Sequence, residues 1–352
     1  MVKKIINKVK AFKKRLAQDY LPGFFCRSRR LSNLYYCLIS PAFSREHQAV
    51  LAGKSKHFRE AKKQKANYFL LVRNTHRIEK GLLMRPRKAQ FATSYIHETL
   101  DSFSNIWKNC DSEKDAGSQN KWFKDVLSEY FNVVSDTPLI AEQRKKFKML
   151  VNGNDTISSQ GRSIPYCRVP GEYSRVDFEE FYKLTRQRRS VRWFLPKPVP
   201  RELIDKAVLA ASQSPSACNR QPFEFRIFDD HQLVRKLADI PMGTKGYGHS
   251  LPVFAVVVGN LDAYASERDR HVIYIDGALA SMTFMLALET LGLSSCPINW
   301  PDIEEKEELM QKTLNLGPWQ RPIMCLGLGY PDPDGMVAFS EKRSLDQIRN
   351  YN

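Results

Sequence analysis

The chain has no continuous apolar run approaching the ~20 residues that cross a bilayer, so no transmembrane helix is expected in its sequence. Lysines interrupt Met1–Leu21 every few positions, which leaves no apolar core or small-residue cleavage site for a secretory signal. CxxC pairs and Cys/His ligand spacings are missing as well. The seven cysteines, at 26, 37, 110, 167, 218, 296 and 325, are odd in number and scattered. They are expected to be reduced structural thiols in a cytoplasmic protein, with no metal site. No GxGxxG occurs, which removes the usual dinucleotide fingerprint.

Acidic residues are scarce in one half only. Residues 1–170 hold 33 Lys/Arg against 14 Asp/Glu, whereas residues 171–352 hold 22 against 24. At 352 residues two modules, or one with a large extension, are expected. The formal charge of +17 therefore belongs to the first half. Against that neutral second half, "RRSVR" (188–192) sets three arginines and a serine together. It reads as a nucleic-acid patch, a phosphate cradle or a solvated turn, and the neutral surroundings weigh against nucleic acid.

Along the chain, Val2, Ile5, Ile6, Val9, Phe12 and Leu16 recur at helical spacing among lysines, so residues 1–21 are expected to form a basic amphipathic helix. Such a helix can lie on an anionic membrane, at the inner face of the cell membrane, or dock on its own protein with its lysines solvated. Residues 22–151 read as mainly helical. Within them "RNTHRIEKG" gathers His76, Arg77 and Lys80 around one turn that ends at Gly81. Either it is a pocket for an anionic substrate group or a solvated face with a glycine cap. Residues 152–174, rich in Gly, Pro, Ser and Asn, read as a linker or wrapping segment.

From 175 to 352 the grammar changes. Helices are expected over "DFEEFYKLTRQRRS", "PVPRELIDKAVLAASQS", "DDHQLVRKLADI", residues 273–292 and within 303–315; strands over 222–228, 252–260 and 322–330. That alternation is a mixed α/β or α+β sandwich, not a bundle or barrel. Between a helix and a strand, "SPSACNRQPFEF" stiffens a loop with Pro215 and Pro222 and offers Ser216, Asn219 and Gln221 as hydrogen-bonding groups.

Taken together, "RQRRSVRWF", "PVPRELIDKAVLAASQSPSACNRQPFEF", "LETLGLSSCPI", "LGLGYP" and "EKRSLDQI" resemble the FMN-dependent nitroreductase family over about residues 178–348. The resemblance implies an α+β three-layer sandwich, with a central, mainly antiparallel sheet flanked by helices; here it carries a helical N-terminal extension. It implies that Arg188, Arg189, Ser190 and Arg192, joined by Lys342 or Arg343, hold the FMN phosphate and ribityl chain. It implies that Pro215, Ser216, Ala217, Asn219 and Gln221 reach the flavin of a partner subunit in a homodimer, and that Pro297, Ile298 and Asn299 lie over the flavin ring. NADH or NADPH would supply hydride to the flavin and a small acceptor, which can be anionic, would take the electrons. The flavin carries this chemistry, so no catalytic side chain is expected and no Ser/His/Asp or Cys/His nucleophile is suggested.

Two departures bear on the substrate. Trp300 stands where many members have glycine and can narrow the site, and "MGTKGYGHS" offers Lys245, Tyr247 and His249 without a clear match. Lys245 and Trp300, with His76, Arg77 and Lys80 from the extension, are the substrate candidates. A different class of reading follows from the basic half: a peripheral-membrane or nucleic-acid-binding protein whose flavin domain is vestigial or regulatory. Electrostatic binding of that kind weakens steeply with salt.

Overall fold

The computed structural model describes residues 20–62, 68–108, 119–151, 161–168 and 174–352. The expected helix over 1–21 lies, but for its last two residues, outside the described residues, as do 152–160 and 169–173 of the linker.

The extension is mainly helical in its described residues. Short α1 (Leu21–Phe25) and α2 (Arg29–Leu38) precede α3 (Ser44–Lys62), α4 (Tyr68–Leu83), α5 (Ile96–Trp107), α6 (Gln119–Val133) and α7 (Pro138–Val151). Helices α4 to α7 bury a core of their own around Leu71, Ile78, Phe103, Phe123, Tyr130 and Ile140. The turn with His76 does not end at Gly81 as expected, because α4 runs on to Leu83. Gly81 serves packing instead: a Cβ there would sit 2.2 Å from the Phe91 ring.

Helix α3 joins this layer to the second half. Its Gly53 lets the helix approach the backbone of Leu261, where an added Cβ would meet carbon and oxygen at 2.7–2.8 Å. Ala49 shares an apolar cluster with Leu261, Ala263, Tyr264 and Ile273. Around it Lys56 pairs with Asp262 at 2.5 Å and Lys54 with Glu267 at 2.7 Å, while Arg45 pairs with Glu304.

The second half begins with α8 (Phe178–Gln187) and α9 (Arg201–Ala211), then alternates β1 (Phe223–Phe228), α10 (His231–Ala238), β2 (Val253–Asn260), α11 (Val272–Thr290), β3 (Ser294–Asn299), α12 (Glu304–Leu314), β4 (Gln320–Gly329) and the short α13 (Leu345–Ile348). The four strands form one sheet in the order β1-β2-β4-β3, every pair antiparallel. Strand β2, apolar on both faces, is central, as a strand covered on both sides must be. Its alternation builds two cores. Val253, Ala255 and Val257 pack with α9 and α11, and Phe254, Val256 and Val258 pack with α10 and α12. Three layers result, the expected sandwich.

Helix α11 is apolar all round, and with the turn before it is long and apolar enough to cross a membrane. Its Gly277, Ala280, Ser281 and Phe284 are buried, and a Cβ on Gly277 would come within 2.6 Å of Ile323 on β4. The opposite side leaves Ile275, Leu279 and Met282 exposed, one stripe at helical spacing.

Candidate functional site

The arginine turn is held against the sheet edge. Asp177 caps α8 by accepting from the Glu180 amide, and the helix stops at Gln187. Beyond it the Val191 amide donates to the Ser295 carbonyl at 3.1 Å, Ser190 bridges Ser295, and Phe194 bridges Pro331. With Val191 and Phe194 anchored in the core, Arg192 between them is exposed, and Arg188, Arg189 and Ser190 before them are half-buried. Arg188, Arg189, Ser190, Arg192 and Lys342 line one small cavity of about 100 Å³, with Ala338, Phe339 and Ser340.

No acid lines that cavity, and among the described ion pairs none involves Arg188, Arg189 or Arg192. Two of the guanidiniums donate to neighbouring backbone instead: Arg189 Nη1 to the Arg188 carbonyl at 3.0 Å and Arg192 Nη1 to that of Ser190 at 3.4 Å. Four cationic groups thus converge on a cavity with no acid in its lining, the arrangement that a phosphate dianion answers with charge-assisted bonds. Arg343 points elsewhere, donating to the Gln347 carbonyl at 2.5 Å. Glu289, missed by sequence reasoning, lies at the end of α11 and accepts from Gln187 at 3.2 Å. Burial pushes its carboxyl above the ordinary range, against the opposing pull of that bond, of Ser294 and of Arg188.

The second group of expected residues sits on the loop after α9. Pro215 is exposed, while Ser216, Ala217, Asn219 and Gln221 are half-buried. Cys218, Asn219 and Gln221 have φ of 53°, 54° and 49°, a left-handed conformation that only local bonding sustains in non-glycine residues. Ser216 Oγ accepts from the Gln221 amide at 3.0 Å, and the Ala217 amide donates to Asp276 on α11 at 3.0 Å. Asp276, whose pKa burial raises, also accepts from the Tyr264 hydroxyl at 3.3 Å. Buried Arg220 stacks over the Tyr264 ring at 4.8 Å. Asp276, Tyr264 and Arg220 carry no motif that sequence reasoning could have used.

The two groups hang from opposite ends of one helix. Asp276 holds the loop near the start of α11 and Glu289 meets the arginine turn near its end. At 1.5 Å per residue that is a separation of about 20 Å along the axis.

The third segment ends β3 beside the arginine turn. Ile298 is buried in the core, Pro297 is half-buried and Asn299 is exposed. Trp300 donates to Glu307 at 2.6 Å, and Glu307 in turn bonds Arg321. Lys245 is exposed after a short turn, whereas Tyr247 is buried beneath Arg192, with 5.7 Å from guanidinium to ring.

On α4 two of the three substrate candidates go to separate partners. His76 meets Glu79 at 3.4 Å, Arg77 stacks on Tyr95 at 3.8 Å, and Lys80 is exposed. Helix α4 itself packs against the 217–219 turn, and burial, with the nearby charge of Arg220, lowers the pKa of Arg73 on this helix.

Residues 185–245 and 243–330 match the model of the nitroreductase family. The C-terminal half of the chain carries a nitroreductase-family domain. Over a longer stretch the chain is 22% identical to iodotyrosine deiodinase 1 of Rattus norvegicus, a match spanning 70% of this chain and 92% of that protein. Among solved structures it resembles the FMN-dependent nitroreductase of Clostridium difficile R20291 at 21% identity (48% of this chain, 98% of that one, TM-score 0.41). A nitroreductase family protein of Streptococcus pneumoniae TIGR4 is similar at 20% identity (49% and 100%, TM-score 0.43).

Proposed function

We propose that this protein is an FMN-dependent oxidoreductase, homodimeric, taking hydride from NADH or NADPH and reducing a small organic acceptor that can be anionic. The observation that carries it is the cavity in which Arg188, Arg189, Arg192 and Lys342 meet with no acid among the lining residues. Those donors fit the terminal phosphate of FMN: forked guanidiniums match its oxygens and Ser190 adds a hydroxyl. When bound, FMN supplies the hydride and electron chemistry. The protein's part is positioning. The cavity fixes the phosphate end, and the end of β3 at Pro297–Asn299 offers backbone groups beside it. The polar loop of Asn219 and Gln221, lying about 20 Å away along α11, serves the flavin bound by a second copy.

Exposed apolar side chains support that dimer. Ile275, Leu279 and Met282 on α11, Phe178, Phe181 and Tyr182 on α8, and Phe339, Leu345 and Ile348 in the tail are all uncovered in one chain. An apolar surface of that extent marks an interface. Helix α4 borders the 217–219 turn, so the extension adjoins the proposed acceptor side.

The experiment is a visible spectrum of undialysed protein, repeated anaerobically after NADH or NADPH. A flavin spectrum that bleaches supports the reading. Colourless protein that takes up no added FMN would contradict it and turn attention to the basic half as a membrane- or nucleic-acid-binding module. A second reading rests on the 70% of this chain that aligns with iodotyrosine deiodinase 1, well beyond residues 185–330. In it the acceptor is a halogenated tyrosine, tested by iodide release from 3-iodotyrosine after chemical reduction of the flavoprotein.

A further inference from the structure

We infer that residues 20–43 form a membrane-contact hairpin that seats on anionic phospholipid. Helices α1 and α2 pack on each other, and neither buries a single residue. Their uncovered side chains are large and apolar: Tyr20, Phe24, Leu34, Tyr36, Leu38, Ile39 and Phe43 are all exposed, Leu38 by 72%. The rings form a continuous ladder from Phe24 through Phe25, Tyr35 and Tyr36 to Phe43 and His47 on α3, with centroids 4.5–6.4 Å apart.

This exposure belongs to a built element. Ser28 caps α2 by accepting from the Leu31 amide at 3.3 Å, and Ser32 Oγ donates to the Phe25 carbonyl at 3.1 Å, tying the second helix to the first. Aromatic rings of this kind settle at the headgroup level of a bilayer, one side apolar and one wet.

Charge selects the occupant. Residues 1–30 hold ten Lys/Arg and a single acid, Asp19, while residues 31–43 hold no charged side chain. The apolar stretch is thus preceded by a dense basic one, with Arg27 lying over the Phe24 ring at 5.6 Å. Anionic lipid attracts such a segment within a Debye length of the surface. A second copy is a poor occupant, because a two-fold contact brings the same patch against itself and sets like charge against like.

The test is cosedimentation of the full chain with phosphatidylcholine vesicles, with and without phosphatidylglycerol. Binding is expected only to the anionic vesicles and is expected to fall as salt rises. The variant F24S/Y36S/L38S changes exposed positions alone and keeps every charge; it is expected to bind roughly tenfold or more weakly. R27E/R29E/R30E is expected to lose binding and its salt dependence together. Three results would overturn the inference: equal binding to neutral and anionic vesicles, unchanged binding of the apolar variant, or loss of binding only when residues 1–19 are deleted. A fall in solution mass of the apolar variant, with no vesicle binding by the parent, would assign the surface to a second copy instead.

Discussion

Arg188, Arg189 and Arg192 follow α8 with no acid in the cavity they line and no ion pair among the described residues, and that imbalance is what the proposed cofactor phosphate would resolve. A charge-assisted bond contributes about 1.5–3 kcal/mol. Arg188→Ala with Arg192→Ala is therefore expected to weaken FMN binding by about 100-fold or more, read by quenching of flavin fluorescence during titration, while far-ultraviolet dichroism stays unchanged. Glu289 gives a second prediction. Its folded pKa is raised, chiefly by burial, so as pH rises above the ordinary carboxylate range the unfolded chain loses the proton first. Native stability falls across that window until the folded carboxyl has ionised too. Glu289→Gln removes this titration; the melting temperature of the variant relative to the parent should climb between pH 4 and pH 8, and a constant offset would contradict it. At this scale the sequence is legible where chemistry clusters locally. The "RRSVR" motif names four residues of one cavity, but Asp276 and Glu289 acquire their roles only because α11 carries them to the loop and the turn. Between Lys342 and Arg343 no local signal chooses; the tail fold does, by giving Arg343 to the Gln347 carbonyl.

Elements whose period is unmixed are read easily. Strand β2 is a seven-residue buried run rich in β-branched side chains, and α11 is small and apolar on the side that meets the sheet. Strand β3 was harder, since "SSCPIN" contains proline and serines and lies on the outer side of β4 alone. Helix α4 passes its glycine because Phe91, close in sequence but folded back, occupies the space a side chain would take. Helix α3 yields a prediction. Gly53→Ala places a methyl against the Leu261 backbone, where overpacking costs about 1–3 kcal/mol, more than the helical gain of up to about 1 kcal/mol. The variant should unfold at lower urea, and limited proteolysis should release the extension sooner. Unchanged digestion would mean that α3 does not hold the two layers together.

For the molecule as a whole, the division of charge between the halves marks the extension, and the structure gives that extension its own core around Phe103 and Tyr130. The proposed second copy, implied in the sequence only by the family resemblance, gains support once α11 is seen to hold its two polar groups at opposite ends and to leave Ile275, Leu279 and Met282 uncovered. Leu279→Lys with Met282→Lys should lower the mass in light scattering from dimer to monomer and cost the protein its flavin in the same step. Retention of flavin by a monomer would separate the cavity from the dimer. The central claim is that the cavity at 188–192 and 342 is built for one phosphate. It is tested most directly by titrating the flavin-free protein with FMN and with riboflavin, which differ by that group alone. The account predicts FMN to bind at least about 100-fold more tightly, with the difference gone in the Arg188→Ala, Arg192→Ala protein; equal affinities for the two flavins would contradict it.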